Sequence, residues 1–273
     1  MTAGGGGRDE VVRTEVLAPE PAEALAALLD IDVPGEGTLP PLWHWVYLLE
    51  RRAQRDLGPD GHPTFGIPAP PGPGRRRMFA GGRVTTRRPL VVGVEATRTT
   101  WVSRSTEKLG RTGPLSFVTV HNEITQAGQV AVVDEQDIVY RSPDATVPVG
   151  PDGGGPPIAA PREPLLTFDV DTTVLFRFSA LTYNAHRIHY DVEYTRQEGY
   201  GDLVVHGPLQ ALMMGELLRR SGVDLAGREY AYRLVSPMIG PQLMTVVAAD
   251  EGIARGAEVR DRHGTVTALS GLG

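Results

Sequence analysis

Valine, isoleucine and threonine recur at every second position in four stretches of the first half: Arg83–Gly93, Glu95–Gly110, Leu115–Gln126 and Gln129–Arg141. Period two with β-branched residues predicts antiparallel strands. The second half repeats the pattern over Arg228–Met238, Gln242–Gly252, Ala254–Gly264 and Thr265–Gly271, with glycines at the turns. Three other stretches change to a three-to-four spacing. "PAEALAALL" (Pro21–Leu29) opens on proline and continues with helix formers. "PLWHWVYLLERRAQRDLG" places Leu42, Trp45, Leu49, Ala53 and Leu57 on one face and ends at Gly58, which predicts a helix there. Trp43 and Trp45 then read as core. "HGPLQALMMGELLRRSG" puts Pro208 in the first turn, Leu209, Leu212, Met213 and Leu217 in a stripe, and Gly222 at the stop. "TFDVDTTVLFRFSALT" (Thr167–Thr182) reads as a strand, and "VEYTRQEG" as a short helical turn. Each half is thus one main helix with four or five antiparallel strands, an α+β layout.

Glycine and proline, 33 and 23 residues, cluster most densely in Ser142–Pro164. That run reads as a linker and divides the chain into residues 1–145, 146–163 and 164–273. "GIPAPPGPGRRRMFAGG" (Gly66–Gly82) reads as irregular, and the start "MTAGGGGRDEVV" as a flexible tail without a signal peptide. Net charge of −6 argues against a nucleic-acid partner. The absence of cysteine excludes disulfides, thiolate metal sites and a cysteine nucleophile, and fits a cytoplasmic protein. No run reaches the length of a membrane span.

The chemistry concentrates in "LTYNAHRIHYD", Leu181–Asp191. His186 and His189, with Asp191, Glu193 or His206, match no recognised zinc pattern. Proton transfer by a histidine fits better, with a neighbouring asparagine to hold a hydroxyl or water. "VVHGPLQ" adds the Gly207 N–H at a helix N-terminus, where negative charge is favoured. Such a set can remove a proton beside a thioester and stabilise the enolate. The plain alternative is that His189 and His206 are satisfied structural histidines.

"FSALTYNAHRIHYD" followed by "EGYGDLVVHGPLQALMM" resembles the MaoC-like group, closest to the hydroxyacyl-thioester dehydratase type 2 branch with its mesaconyl-CoA and itaconyl-CoA hydratase-like members. "PLWHWVYLLE", "DGHPTFG", "RRRMFAGGRV", "RRPLVVG" and "DEQDIVYR" carry the similarity through the first half. The resemblance implies a double hotdog, each half a curved antiparallel sheet around a central helix. The second hotdog would be catalytic and the first would shape the acyl pocket. It further implies that His189 is the catalytic histidine and that the Gly207 N–H holds the thioester carbonyl. Asn184 falls where the family motif L-T-G-D-x-N-P-x-H has an aspartate, while Tyr183, His186 and Arg187 replace its glycine, asparagine and proline. An amide cannot shuttle protons, so His189 would act as both base and acid, with Asn184 positioning the hydroxyl or water.

The expected activity is hydration or dehydration of an acyl thioester, on coenzyme A or a carrier protein, with no metal or other cofactor. His186, Tyr183, Asp191 and His206 are candidates for support of the site. Arg75, Arg76, Arg77 and Arg187 are candidates for the substrate's phosphates. Two other readings stay open. One is a hotdog turned to isomerisation or cyclisation in secondary metabolism. The other is a module that only binds acyl groups. Oligomeric state is open too, a homodimer included.

Overall fold

A computed structural model describes residues 9–34, 37–69, 76–110, 113–141 and 162–273. In the first half, strand β1 (Glu10–Val16) leads into helix α1 (Pro19–Leu28). Long strands β3 (Arg76–Thr86), β5 (Glu95–Gly110), β6 (Gly113–Gln126) and β7 (Gln129–Arg141) follow, with β2 (Thr38–Leu39) and β4 (Leu90–Val91) forming a small separate pair. The second half runs β8 (Leu166–Val170), α2 (Thr172–Thr182), α3 (Val192–Gln197), α4 (Gly207–Arg220), β9 (Glu229–Leu234), β10 (Gln242–Ala248), β11 (Ala257–Arg260) and β12 (Val266–Leu272).

Ten strands form one antiparallel sheet in the order β1-β5-β6-β7-β3-β9-β12-β11-β10-β8. Read inward from either end, the order is the same: a first strand, then the three consecutive strands of a meander, then the strand that precedes the meander in the chain. The sheet is therefore two copies of one topology, joined edge to edge where β3 pairs with β9. The join hides two edges that would otherwise be free to pair with other chains. This is the double hotdog expected from the resemblance.

One hydrophobic core runs through both halves. Helix α4 lies in it, buried on all sides from Leu209 to Leu218 rather than along the expected stripe. Its one acid, Glu216, is 2% exposed and accepts from Trp43 Nε1 (2.9 Å) and Arg219 (2.7 Å), so the buried charge is paired.

Several expectations are corrected. The helix expected from Leu42 to Leu57 is only a 3-10 turn, Trp43–Val46, followed by irregular chain and a second turn, Gln54–Asp56. The strand expected over Thr167–Thr182 ends at Val170, where Asp171 caps α2 by accepting from Val174 N (2.7 Å). Part of the expected tail, Glu10–Val12, belongs to β1, and part of the expected irregular passage, Arg76–Gly82, belongs to β3. Trp43 is core as expected, and Trp45, partly buried, packs against that core and also lines a cavity. The linker expected at 146–163 lies, up to residue 161, outside the described residues, as does Arg75. Among the described residues no helix is long and apolar enough to cross a membrane.

Candidate active site

A cavity of about 920 Å³ opens between α4, the loop 183–190 and the inner faces of β3 and β7. Both halves supply its wall: His44, Trp45, His62 and Arg77 from the first, His189 and Gly207 from the second.

His189 ends a 3-10 turn, Arg187–His189, and is 7% exposed. Its Nδ1 lies 2.7 Å from the Val204 carbonyl oxygen. A carbonyl only accepts, so Nδ1 carries the hydrogen and Nε2 keeps the free lone pair. Val204 N–H in turn donates to Ile188 O (2.9 Å), which fixes the segment to the loop. Burial lowers the His189 pKa to about 4, so the ring is neutral near pH 7. His206, fully buried as the residue before α4, stacks on it with ring centroids 3.6 Å apart. The His206 ring also meets Phe178 edge-on, with centroids 5.0 Å apart, and its Nε2 is 2.8 Å from Ser179 Oγ. Burial also holds His206 well below its ordinary pKa. The next residue, Gly207, lines the same cavity as His189. As the first residue of α4, Gly207 has an N–H with no intrahelical acceptor. A side chain at 207 would overlap Leu234 Cδ1 and crowd Phe79, so the backbone's close approach here is made by packing. The cavity wall thus holds an imidazole Nε2 able to exchange a proton and a backbone donor suited to an oxyanion.

Asn184 follows the α2 C-cap, Tyr183, which is left-handed (φ 51°) and half exposed. Asn184 Oδ1 accepts from His186 N (3.0 Å), a turn that shapes the loop. Its Nδ2 has no partner among the described residues, and the side chain lines the cavity. Asp191 is engaged elsewhere: it caps α3 through Tyr194 N (3.0 Å) and pairs with Arg187 (2.7 Å). Arg187 also donates to Pro59 O and lies over the Tyr194 ring. Arg76 is paired with Glu198 (3.1 Å). Of the four arginines considered for phosphate, Arg77 alone lines the cavity among the described residues.

Sequence reasoning missed most of the first half's contribution. The loop carrying Asp60 and His62 docks on the loop 183–190, with Arg187 N donating to Asp60 O (2.9 Å). His62 Nδ1 lies 3.2 Å from Asp60 Oδ2, and its ring is 4.1 Å from that of His186, which sits 5.6 Å edge-on from His189. Burial holds both His62 and His186 below their ordinary pKa, and the Arg77 charge adds to this. Asp60, His62 and His186 each bring a potential ligand atom to within 4.8 Å of the others. The same Arg77 charge opposes a second cation there. "DGHP" was the available signal, but nothing in its spacing ties it to residues more than a hundred positions away.

A model of the hydroxyacyl-thioester dehydratase type 2 family matches residues 42–240. The chain is 41% identical, over 97% of its length and 94% of the relative's, to the mesaconyl-C(4)-CoA hydratase of Chloroflexus aurantiacus. Among solved structures it is similar to HtdX of Mycobacterium tuberculosis (TM-score 0.70, 14% identity, covering 97% and 99% of the two chains). It is also similar to a MaoC-like dehydratase from Phytophthora capsici (TM-score 0.67, 14% identity, 97% and 95%). At these identities the structural likeness concerns the fold.

Proposed function

The chain belongs to the hydroxyacyl-thioester dehydratase type 2 family, and we propose that it is a hydro-lyase that adds or removes water across the α,β double bond of an acyl-CoA thioester. The observation that carries this reading is the neutral His189 ring, tied by Nδ1 to Val204 O, lining with the first residue of α4 one cavity of ligand size. The relative at 41% identity is named a hydratase of a CoA thioester, which supports the same class.

In the dehydration direction, His189 Nε2 takes the α-proton. The electron pair of that C–H bond moves into the thioester carbonyl, whose oxygen accepts from Gly207 N–H. The enolate then reforms the carbonyl and expels the β-hydroxyl, which takes the proton back from His189 and leaves as water. Asn184 Nδ2 donates to that hydroxyl and holds it in line. Hydration is the reverse. A buried imidazole of pKa about 4 is a weak base at rest. The negative charge growing on the enolate raises its proton affinity as the reaction proceeds. In this reading residues 164–273 carry the catalytic loop, and residues 1–145 wall the acyl pocket.

Replacing His189 with alanine lowers kcat by a hundredfold or more for hydration of enoyl-CoA substrates, the usual weight of a general acid–base group. Mass-spectrometric detection of water gain or loss separates this activity from isomerisation or cyclisation. Turnover within threefold of the unaltered protein would overturn the assignment of His189.

A further inference from the structure

A water molecule that adds across a double bond brings two hydrogens, and each needs an acceptor. In the mechanism above His189 Nε2 takes one. Asn184 offers nothing for the other, because its Oδ1 already accepts from His186 N (3.0 Å) and its Nδ2 only donates. A donor left without an acceptor away from bulk water is costly. The side chain two residues on can meet the need. The ring nitrogens of His186 make no hydrogen bond with a described residue, and the ring lines the cavity 5.6 Å from that of His189. Burial holds its pKa well below the ordinary value, so near pH 7 the ring is neutral and keeps a lone pair. What fixes that ring comes from the first half. Asp60 grips His62 at two points: Oδ1 accepts from the backbone N (3.0 Å), and Oδ2 lies 3.2 Å from Nδ1. Burial pushes the Asp60 carboxyl up, but the hydrogen bonds from His62 outweigh it and hold the group below its ordinary pKa. The carboxylate is therefore ionised near pH 7 and only accepts, so His62 Nδ1 carries the hydrogen. Set in this way, the His62 ring lies against that of His186, with centroids 4.1 Å apart and planes inclined at 48°. A nitrogen of each ring is within 4.8 Å of one on the other, within reach of a water-mediated hydrogen bond. His186 thus has a backbone anchor on Asn184 and a ring anchor on His62.

We propose that Asp60 and His62 are positioning residues for the reacting water: they set the His186 ring so that one of its nitrogens accepts the hydrogen that His189 does not take. This rests on the hydro-lyase reading above and brings the first half into the chemistry. In hydration one O–H bond of the water breaks and its proton goes to His189 Nε2. The electron pair left on oxygen forms the C–O bond at the β-carbon, and the π pair passes to the thioester oxygen as the enolate forms. The α-carbon then takes the proton from His189. The second hydrogen stays on the new hydroxyl throughout and is bonded to His186, which receives a hydrogen bond and no proton. A carboxylate at 184 would keep an acceptor for that hydrogen, so the pair in the other half supplies what the asparagine lacks.

Enolisation by itself needs no water at the β-carbon, and this gives the test. The unaltered protein hydrates crotonyl-CoA, and in heavy water it exchanges the α-hydrogens of butyryl-CoA, which has no hydroxyl to hold. Asp60→Asn and His62→Ala each lower kcat for hydration by roughly ten- to a hundredfold, the weight of one donor left without its acceptor. Exchange, read by mass spectrometry, changes in the same variants by less than about threefold. Asp60→Asn keeps an acceptor for the His62 backbone N–H and alters only what Nδ1 meets, so it tests orientation without removing the turn. A parallel loss of hydration and exchange would mean that the pair merely holds the loop 183–190 in place, and it overturns the proposal. Unchanged hydration in both variants does so too. His189→Ala separates this inference from the reading it rests on. If that variant keeps both reactions, the catalytic reading fails. If it loses both while Asp60→Asn and His62→Ala hydrate normally, the positioning pair alone fails. Dialysis against a chelator leaves hydration unchanged, and a loss restored by zinc would mean that Asp60, His62 and His186 hold an ion instead, which also overturns the proposal.

Discussion

Asn184 stands where the motif of the resemblance has an acid, one of four departures from it, and its hydrogen bonds state what that change costs. Oδ1 is committed to the His186 N–H, so only the Nδ2 donor is left for substrate. An aspartate there would keep the turn, lose the donor and place a negative charge in the wall that holds His186 and His189. An opposite charge favours protonated imidazole. In Asn184→Asp the acid limb of the kcat/KM profile therefore moves up, away from the value near 4 set by burial of His189. Below its pKa the ring is protonated and cannot take the α-proton, so activity is lost as pH falls through that limb. Initial rates in brief pH jumps measure it. A limb that stays in place or moves down would contradict the placement of Asn184 beside the base. His206 stacks on His189 at 3.6 Å, so in the proposed mechanism its replacement should be read as a change in ring position rather than loss of a reacting group.

Element by element, strands were the most legible feature, because the ladder imposes period two on every residue it contains. The 95–110 strand was expected to the residue. The misread elements share one cause, which is side chains committed to distant partners. Between Leu42 and Leu57 the three-to-four spacing is real. Yet Trp43 reaches Glu216 on α4, Trp45 reaches Asp134 on β7, and the Tyr47 hydroxyl donates to Ala18 O. Those three directions are incompatible with one helix face, and left-handed Leu42 (φ 74°) and Leu48 (φ 54°) break the run on either side. At α2 the Asp171 cap was the signal overlooked beneath a β-branched run. The candidate site divides the same way. His189, Asn184 and Gly207, expected from two nearby segments, line one cavity, whereas Asp60 and His62 reach its loop only through tertiary contact. The loop carrying Asp60 gives the prediction at this scale. Gly61 is left-handed (φ 87°), and a side chain there would overlap the Ala185 carbonyl oxygen in the loop 183–190. Gly61→Ala must therefore push the two loops apart. It should lower stability by roughly 2 kcal/mol or more and kcat/KM with it. Urea denaturation and kinetics on enoyl-CoA measure both, and an unchanged kcat would mean that the docking does not position His186 and His189.

For the whole molecule, the join that completes the sheet also gathers His62, His186 and His189 on one cavity, with His206 stacked on His189. In all four, burial is the first cause of a lowered pKa. The sign of the pH effect follows. Unfolded histidines bind protons below about 6.5, while folded His189 does so only near 4. Between those values the unfolded chain holds more protons, so stability is fully present above pH 6.5 and is lost as pH falls toward 4. His189 alone accounts for about 2 kcal/mol between pH 6.5 and pH 5, and the other three histidines act in the same direction. The protein should therefore unfold at clearly lower urea concentration at pH 5 than at pH 7.5. A His186→Gln, His206→Gln double variant should show a smaller difference between the two, because two of the titrating groups are gone. Equal midpoints at both pH values would mean that the four rings are not held neutral by burial. The neutral base on which the proposed proton transfer depends would then have to be explained by something other than the closure of the two halves around it.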